Sequence, residues 1–267
     1  MRVWTIANQK GGVGKTTTTV TLGGLLAGWG LRTLLVDIDP HGSMTSYFRY
    51  DPDTLEQSSF SLFSAKIEKQ KIDANKLILD TGTEGLELLP ATMALATLDR
   101  QTGRMDGMGL VLKSTLNELS DRFDYVLIDC PPMLGVLMVN ALAACERLIM
   151  PVQTEFLALK GLERMMHTLN MILKSQEAAL PYTIVPTFFD RRTRASLDSL
   201  QMLQEKYGDM LWDDVIPVDT KFRESSKAGI PPTVYSPDTH GVQAYKKLLD
   251  FLHNSEKKSP SSREMVG

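Results

Sequence analysis

The sequence is poor in the features that mark secreted, membrane-spanning or broadly basic chains. It has two cysteines in 267 residues. Cys130 and Cys145 lack metal-site spacing, so a reducing cytoplasm is expected and a disulfide framework is not. Lysine and arginine number 29 against 32 acidic residues, a net charge of −3. No global basic field therefore announces nucleic acid, and any such contact needs a local patch. No apolar run approaches the ~20 residues of a membrane helix. The chain opens directly on an apolar strand, without the charged and apolar regions of a signal peptide, and none is expected. Internal repeats and low-complexity linkers are missing, and only 254–267 is polar enough to read as a disordered tail. One α/β domain over 1–253 in a cytoplasmic protein is the expectation, with an apolar content of 43% that is ordinary for a core.

Against this background stands Asn8-Gln9-Lys10-Gly11-Gly12-Val13-Gly14-Lys15-Thr16-Thr17. It follows an apolar run from Val3 to Ala7 and precedes a periodic apolar segment from Val20 to Leu26. Strand, glycine-rich turn and helix in that order is the context in which a P-loop match carries meaning. Gly11, Gly12, Val13 and Gly14 let several N–H groups point into one concavity, which the helix N-terminus reinforces as an anion site. Lys15 would reach the β- and γ-phosphates, the Thr16 hydroxyl would sit on Mg²⁺, and Thr17 completes the loop. The strict pattern wants a further glycine where this chain has Gln9. The ligand expected is a nucleoside triphosphate.

Two apolar runs then end in carboxylates. Leu34 to Ile38 fits a strand buried on both faces of a parallel sheet, and Asp37 and Asp39 fall at its C-terminal end. Open α/β sheets place ligands at that end, and strand alternation puts both aspartates on one side. The second run, Phe123 to Asp129 followed by Cys130-Pro131-Pro132, has the Walker B arrangement, with Asp129 placed to hold Mg²⁺ directly or through water. His41 reads as an exposed loop histidine, and the cysteines as small buried hydrophobes rather than cluster ligands.

Lys10 is a second lysine on a loop that already has one. KGGVGKTT as a unit resembles the deviant Walker A box of the ParA/Soj/MinD group of ATPases. DIDPHG is similar to that group's DxDPQG box, with His41 in place of glutamine, and DCPP with Leu134-Gly135 resembles its Walker B and switch region. EFLALKGL resembles its E-x-x-AL-x-G box, and PTFFDRRT and IPVDTKFRESSKAGIPP resemble later stretches, with Ser225-Ser226 where glutamate-alanine is usual.

The resemblance runs from Val3 to about Leu252 and implies a mostly parallel sheet with helices on both faces. It implies ATP and Mg²⁺ as ligands, Asp39 as the hydrolytic carboxylate with Asp37 in support on the metal side, and a homodimer on ATP binding. Lys10 would cross that dimer to the partner's phosphates. Basic residues in the last two stretches, Arg191, Arg192, Arg194, Lys221, Arg223 and Lys227, would bind double-stranded DNA without reading sequence. A cargo adaptor protein would stimulate hydrolysis, placing the protein on the nucleoid, at cell poles or both. Three stretches, DPHGSMTSYF, VQTEFLALKGLERM and IPVDTKFRESSKAGIPP, look closest to ParC-like relatives that position chemotaxis arrays. Plasmid or chromosome partition is the next cargo.

The remaining segments carry less. Asp51-Pro52-Asp53 and Thr81-Gly82-Thr83 read as turns, Leu86 to Leu89 as a strand, and Leu110 to Leu119 as a helix. A long helix follows Glu155 to about Ser175, with Met165, Met166 and Met171 expected in the core. A last helix from Gly241 to His253 has an apolar stripe of Val242, Tyr245, Leu248, Leu249 and Leu252 with little basic content beside it. Docking on the core is favoured over membrane insertion. A MinD-like membrane-cycling ATPase and a small-molecule ATP-dependent ligase are the alternative functions.

Overall fold

The short apolar runs become the strands of one sheet. In the computed structural model, which describes residues 1–98, 107–173 and 180–258, these are β1 (Arg2–Ile6), β2 (Thr33–Asp37), β3 (Leu79–Thr83), β4 (Leu86–Leu89), β5 (Tyr125–Asp129), β6 (Arg147–Gln153) and β7 (Tyr182–Thr187). Their order is β3-β4-β2-β5-β1-β6-β7. Every neighbouring pair is parallel except β3 with β4. β2 and β5 are buried along their whole length, which is why they read as continuous apolar runs rather than alternating ones.

Helices cover both faces, as expected. They are α1 (Lys15–Gly28), α2 (Ser43–Tyr47), α3 (Ser59–Glu68), α4 (Val111–Glu118), α5 (Val136–Ala144), α6 (Phe156–Leu173), α7 (Arg194–Tyr207), α8 (Lys221–Ala228), α9 (Pro232–Tyr235) and α10 (His240–Lys258). One core layer joins Trp4, Ile6 and Leu35 to Leu22 and Leu26 of α1 and to the apolar stripe of α10. The other joins Val36 and Ile128 to residues of α3 through α7. Val242, Tyr245, Leu248, Leu249 and Leu252 are all buried, so the stripe of the last helix is used up against the core. Tyr245 also meets the Thr18 hydroxyl of α1 at 2.8 Å. No helix of the described residues is long and apolar enough to cross a membrane.

Three expectations need correction. Thr81-Gly82-Thr83 is strand, not turn: it belongs to β3, and the reversal falls at Glu84-Gly85. The β3–β4 ladder shifts register between Asp80 and Thr83, so the glycine marks a bulge in a hairpin arm. Met165 is buried and Met166 packs against the core, whereas Met171 is exposed. The last helix continues past His253 to Lys258. The rest of the expected tail, 259–267, and the expected helix end at Ser175 lie outside the described residues.

A final segment closes the β7 side of the sheet. Trp212 N–H donates to Ile184 O at 2.9 Å and Ile216 N–H to Pro186 O at 2.8 Å. Phe189 N–H donates to Ile216 O at 3.0 Å, and Val218 N–H to Phe189 O at 3.1 Å. Residues 211–218 thus run beside β7 without forming a full strand.

Candidate functional site

β1, β2 and β5 are central, parallel and in register, so their C-terminal ends form one edge. The loop after β1 turns back through Gly12 (φ 74°) and Gly14 (φ 90°) into α1. Both are left-handed conformations that strain any residue with a Cβ. Asn8, fully buried, anchors the loop: its Nδ2 donates to Pro151 O at 2.8 Å and its Oδ1 accepts from Lys10 N–H at 3.0 Å. Thr187 Oγ1 donates to Val13 O at 2.9 Å from the β7 side. Lys15 folds over the loop, with Nζ 3.3 Å from Lys10 O. The Lys10 side chain turns the other way and pairs with Glu155 at the start of α6.

The carboxylates meet beneath this loop. Asp37 and Asp129 are direct partners in the β2–β5 register. Thr16 Oγ1 donates to Asp129 Oδ2 at 2.6 Å, while Asp129 Oδ1 is buried with no hydrogen-bond partner among the described residues. Burial, with Asp37 as a second cause, pushes the Asp129 carboxyl up to about 8. Burial likewise raises Asp37 to about 6. Asp37 is otherwise well supplied: Oδ1 accepts from Asp39 N–H at 3.1 Å, and Oδ2 from Thr45 N–H at 2.9 Å and Thr45 Oγ1 at 2.8 Å. Asp39 lies past the end of β2, so strand alternation does not place it. The bond from its own N–H to Asp37 does.

His41 is exposed as expected, 74% at the side chain, yet its Nδ1 lies 2.9 Å from Asp39 Oδ1. Its backbone N–H also donates to that oxygen at 3.0 Å. Cys130 is buried and Cys145 partly so.

The donor set fits a divalent cation beside a triphosphate. A buried, unpartnered carboxylate oxygen and an adjacent hydroxyl are what a hard cation needs, and Mg²⁺ keeps waters and takes its other ligands from phosphate. Among the described residues no cluster of three or more acidic, cysteine or histidine side chains could hold a metal by itself. Beyond Gly12 and Gly14 opens a cleft of about 510 Å³ whose lining includes Phe188, Pro217, Phe222, Arg223 and Tyr245. Its aromatic and apolar walls suit a flat heterocycle. Phe188 holds a φ of 51°, an uncommon conformation for a bulky residue.

The six basic residues are only partly assembled. Their two segments leave the same backbone bridge, Phe189 with Pro217. Arg191, Arg192, Arg194, Arg223 and Lys227 are exposed and Lys221 is half-buried. Arg192 is bound bidentately by Asp190 at 2.9 and 2.8 Å. Arg194 faces Asp198 at 3.6 Å and Lys221 faces Glu224 at 2.6 Å. Arg191, Arg223 and Lys227 have no acidic partner among the described residues.

Sequence reading passed over Asn8, Thr45, Thr187 and Glu155 as site residues. Asn8 could have been flagged as a polar residue between a buried strand and the loop. Thr45 reaches Asp37 from a helix eight residues on, and Thr187 acts through a contact distant in sequence; Glu155 lies in the E-x-x-AL-x-G box, but nothing in that box announces its pairing with Lys10.

A strand-turn-helix anion cradle with carboxylates at the ends of the next two strands on one side, β5 and β2, defines a P-loop NTPase. A family model described as an AAA domain matches residues 1–181. The sporulation initiation inhibitor protein Soj of Bacillus subtilis is 34% identical over 92% of this chain and 96% of its own. The chromosome partitioning protein ParA of Caulobacter vibrioides is 35% identical over 96% of both. Among solved structures, cobyrinic acid a,c-diamide synthase from Mycobacterium smegmatis, with a bound ATP analogue and magnesium, is 32% identical. It superposes with a TM-score of 0.82 over 97% of this chain and 96% of that one. The chain belongs to the ParA/Soj/MinD family, and it is an ATPase that uses ATP and Mg²⁺.

Proposed function

We propose that this protein is a positioning ATPase that closes as a nucleotide-sandwich homodimer and uses partner-stimulated hydrolysis to place intracellular cargo. The observation that carries the reading is the divergence of two lysines on one loop. Lys15 lies over its own cradle, whereas Lys10 points away from it toward α6. A cation that its own site does not need is available to a second copy. Met133 and Leu134 on the loop after β5 and Phe156 and Leu157 at the start of α6 are exposed, and would cover one another across such a dimer.

Within each subunit Gly11, Gly12, Val13, Gly14, Lys15, Thr16 and Thr17 hold the phosphates. Thr16 and Asp129 would hold Mg²⁺, which when bound would supply positive charge to offset that building on the phosphate oxygens. Asp37, its oxygens occupied by Thr45 and Asp39, supports from behind by fixing the Asp39 loop. Asp39 orients the attacking water. Arg191, Arg192, Arg194, Lys221, Arg223 and Lys227 bind double-stranded DNA through phosphate, and an adaptor protein triggers hydrolysis and release. ATP binding thus selects the closed, DNA-bound population and hydrolysis resets it. Polar chemotaxis arrays are the cargo we favour, on the three stretches that look closest to ParC-like relatives. Partition of a plasmid or chromosome follows, in keeping with the names of the Soj and ParA relatives.

The test is ATP-dependent binding to random duplex DNA across a salt series, with Asp39→Ala to slow hydrolysis. Binding that requires ATP, ignores sequence and falls steeply with salt is expected. No binding with ATP at low salt overturns the DNA half. A ligase reading draws on the synthase named among the solved structures. It requires turnover that depends on a small carboxylic acid rather than on DNA or a protein partner, and a phosphate-release assay with each of these added in turn separates the two.

A further inference from the structure

The P-loop is gripped along its leading half by the β6–α6 unit. Asn8 bonds to β6 at Pro151, and Gln9 Nε2 donates to Thr168 Oγ1 at 2.9 Å. Between them Lys10 runs along α6. A Cβ at Gly161 would sit 3.3 Å from Lys10 Cβ and 3.9 Å from its Cδ, so the missing side chain there makes the channel that seats the Lys10 stem. The ammonium ends on the Glu155 carboxylate. Glu155 is itself held in place, since its carbonyl accepts from Ala158 N–H at 3.1 Å and opens the helix. Its charge lies at the positive end of α6, where a carboxylate is favoured with or without Lys10.

We propose that Glu155 is a latch: in the single subunit it holds Lys10, and closure of two ATP-loaded copies exchanges that carboxylate for the partner's triphosphate. The inference rests on the cross-subunit reading of Lys10 and adds what opposes it. No bond is made or broken covalently; one ion pair replaces another. Lys10 and Glu155 are 26% and 40% exposed at the side chain, so the latch is weak, shifting an equilibrium by about 1.5- to 5-fold. A two-fold dimer opens two latches, so the effect on dimerisation is the square of that factor, roughly 2- to 25-fold. The ATP concentration at which the protein closes is thereby set partly by a residue that touches no nucleotide.

Sedimentation equilibrium of the full chain with Mg²⁺ and a non-hydrolysable ATP analogue reads this directly. Glu155→Gln should tighten the dimer by about 2- to 25-fold while leaving the affinity of dilute, monomeric protein for the analogue unchanged. Glu155→Asp keeps the charge at the helix start but shortens the reach, and should tighten the dimer by a smaller factor. At protein concentrations high enough for a Lys10→Gln protein to retain measurable dimer, the Glu155→Gln effect should vanish in that background, because the pair is then already broken. A Glu155→Gln dimer no tighter than the parent's, with Lys10→Gln abolishing dimerisation, overturns the latch and leaves the cross-subunit role standing. A Lys10→Gln protein that dimerises as well as the parent overturns both.

Discussion

Strand β5 is flanked by two aspartates that have opposite lives. At its N-terminal side Asp124 sits at the surface in a bidentate grip, with Arg32 Nη2 2.9 Å from Oδ1 and Arg32 Nε 3.1 Å from Oδ2. The Arg32 hydrogen bonds pull its carboxyl down to about 2. At the C-terminal end Asp129 is buried, has one oxygen without a partner among the described residues and is pushed up to about 8. The same contrast holds along the whole sheet. Arg2 meets Glu146 at 3.2 Å on the near edge, while Lys15, Asp37, Asp39 and Asn8 crowd the far one. Charge on the near edge is complete without a ligand. On the far edge it becomes complete only when cation and triphosphate arrive, and that difference locates function better than any motif alone.

The comparison breaks most sharply by removing the far-edge groups that act on ATP. Lys15→Ala should abolish ATP binding in a fluorescent-nucleotide titration, and Asp39→Ala should keep binding but lower phosphate release by about 100-fold or more. If Asp39→Ala turns over normally, the far edge does not position water through that carboxylate.

Asp129→Asn tests the cost of readiness. A carboxyl whose folded pKa lies above its ordinary 3.8 favours the protonated form, so it weakens the nucleotide-free fold progressively as pH rises from about 4 toward about 8. The asparagine variant should flatten that part of the stability profile and melt a few degrees higher near pH 8, on the order of 1–3 kcal/mol. It should also lose the added stability that Mg²⁺ and ATP confer on the parent. Thermal melts from pH 5 to 8, with and without ligand, distinguish these outcomes.

Smaller effects sharpen the boundary. Arg223→Glu should lower the magnitude of the log K against log salt slope for DNA by about 1. At the near edge Asp124→Asn removes an exposed pair whose stabilisation is present above pH 3.8 and is lost only as pH falls through about 2. Near neutral pH its melting temperature should move by no more than about 2 °C, with turnover unchanged.

Much of the far edge was legible in sequence because the chain order of a parallel sheet repeats one local statement: apolar strand, then polar residue. Lys15, Thr16, Asp37 and Asp129 follow from that statement. What escaped depends on which strands become neighbours. Glu155 lies 145 positions from Lys10, Thr45 reaches Asp37 through a short helix, and nothing around Phe189 announces its bridge to Pro217. Strand β3 was missed for a different reason. Thr81-Gly82-Thr83 has turn composition, but the bulge absorbs the glycine and Thr81 Oγ1 donates to Leu86 O at 2.6 Å, so tertiary pairing overrides propensity.

The segment 211–218 beside β7 bears on how such a protein tolerates crowding. An exposed strand edge is a template for other chains wherever copies meet at high density. Here the outer groups of β7 at Ile184 and Pro186 are already taken by Trp212 and Ile216, and at the opposite end of the sheet β3 is bulged and short. Neither margin offers a flat ladder for another strand to extend. Concentrating this chain therefore does not by itself extend its sheet into fibres.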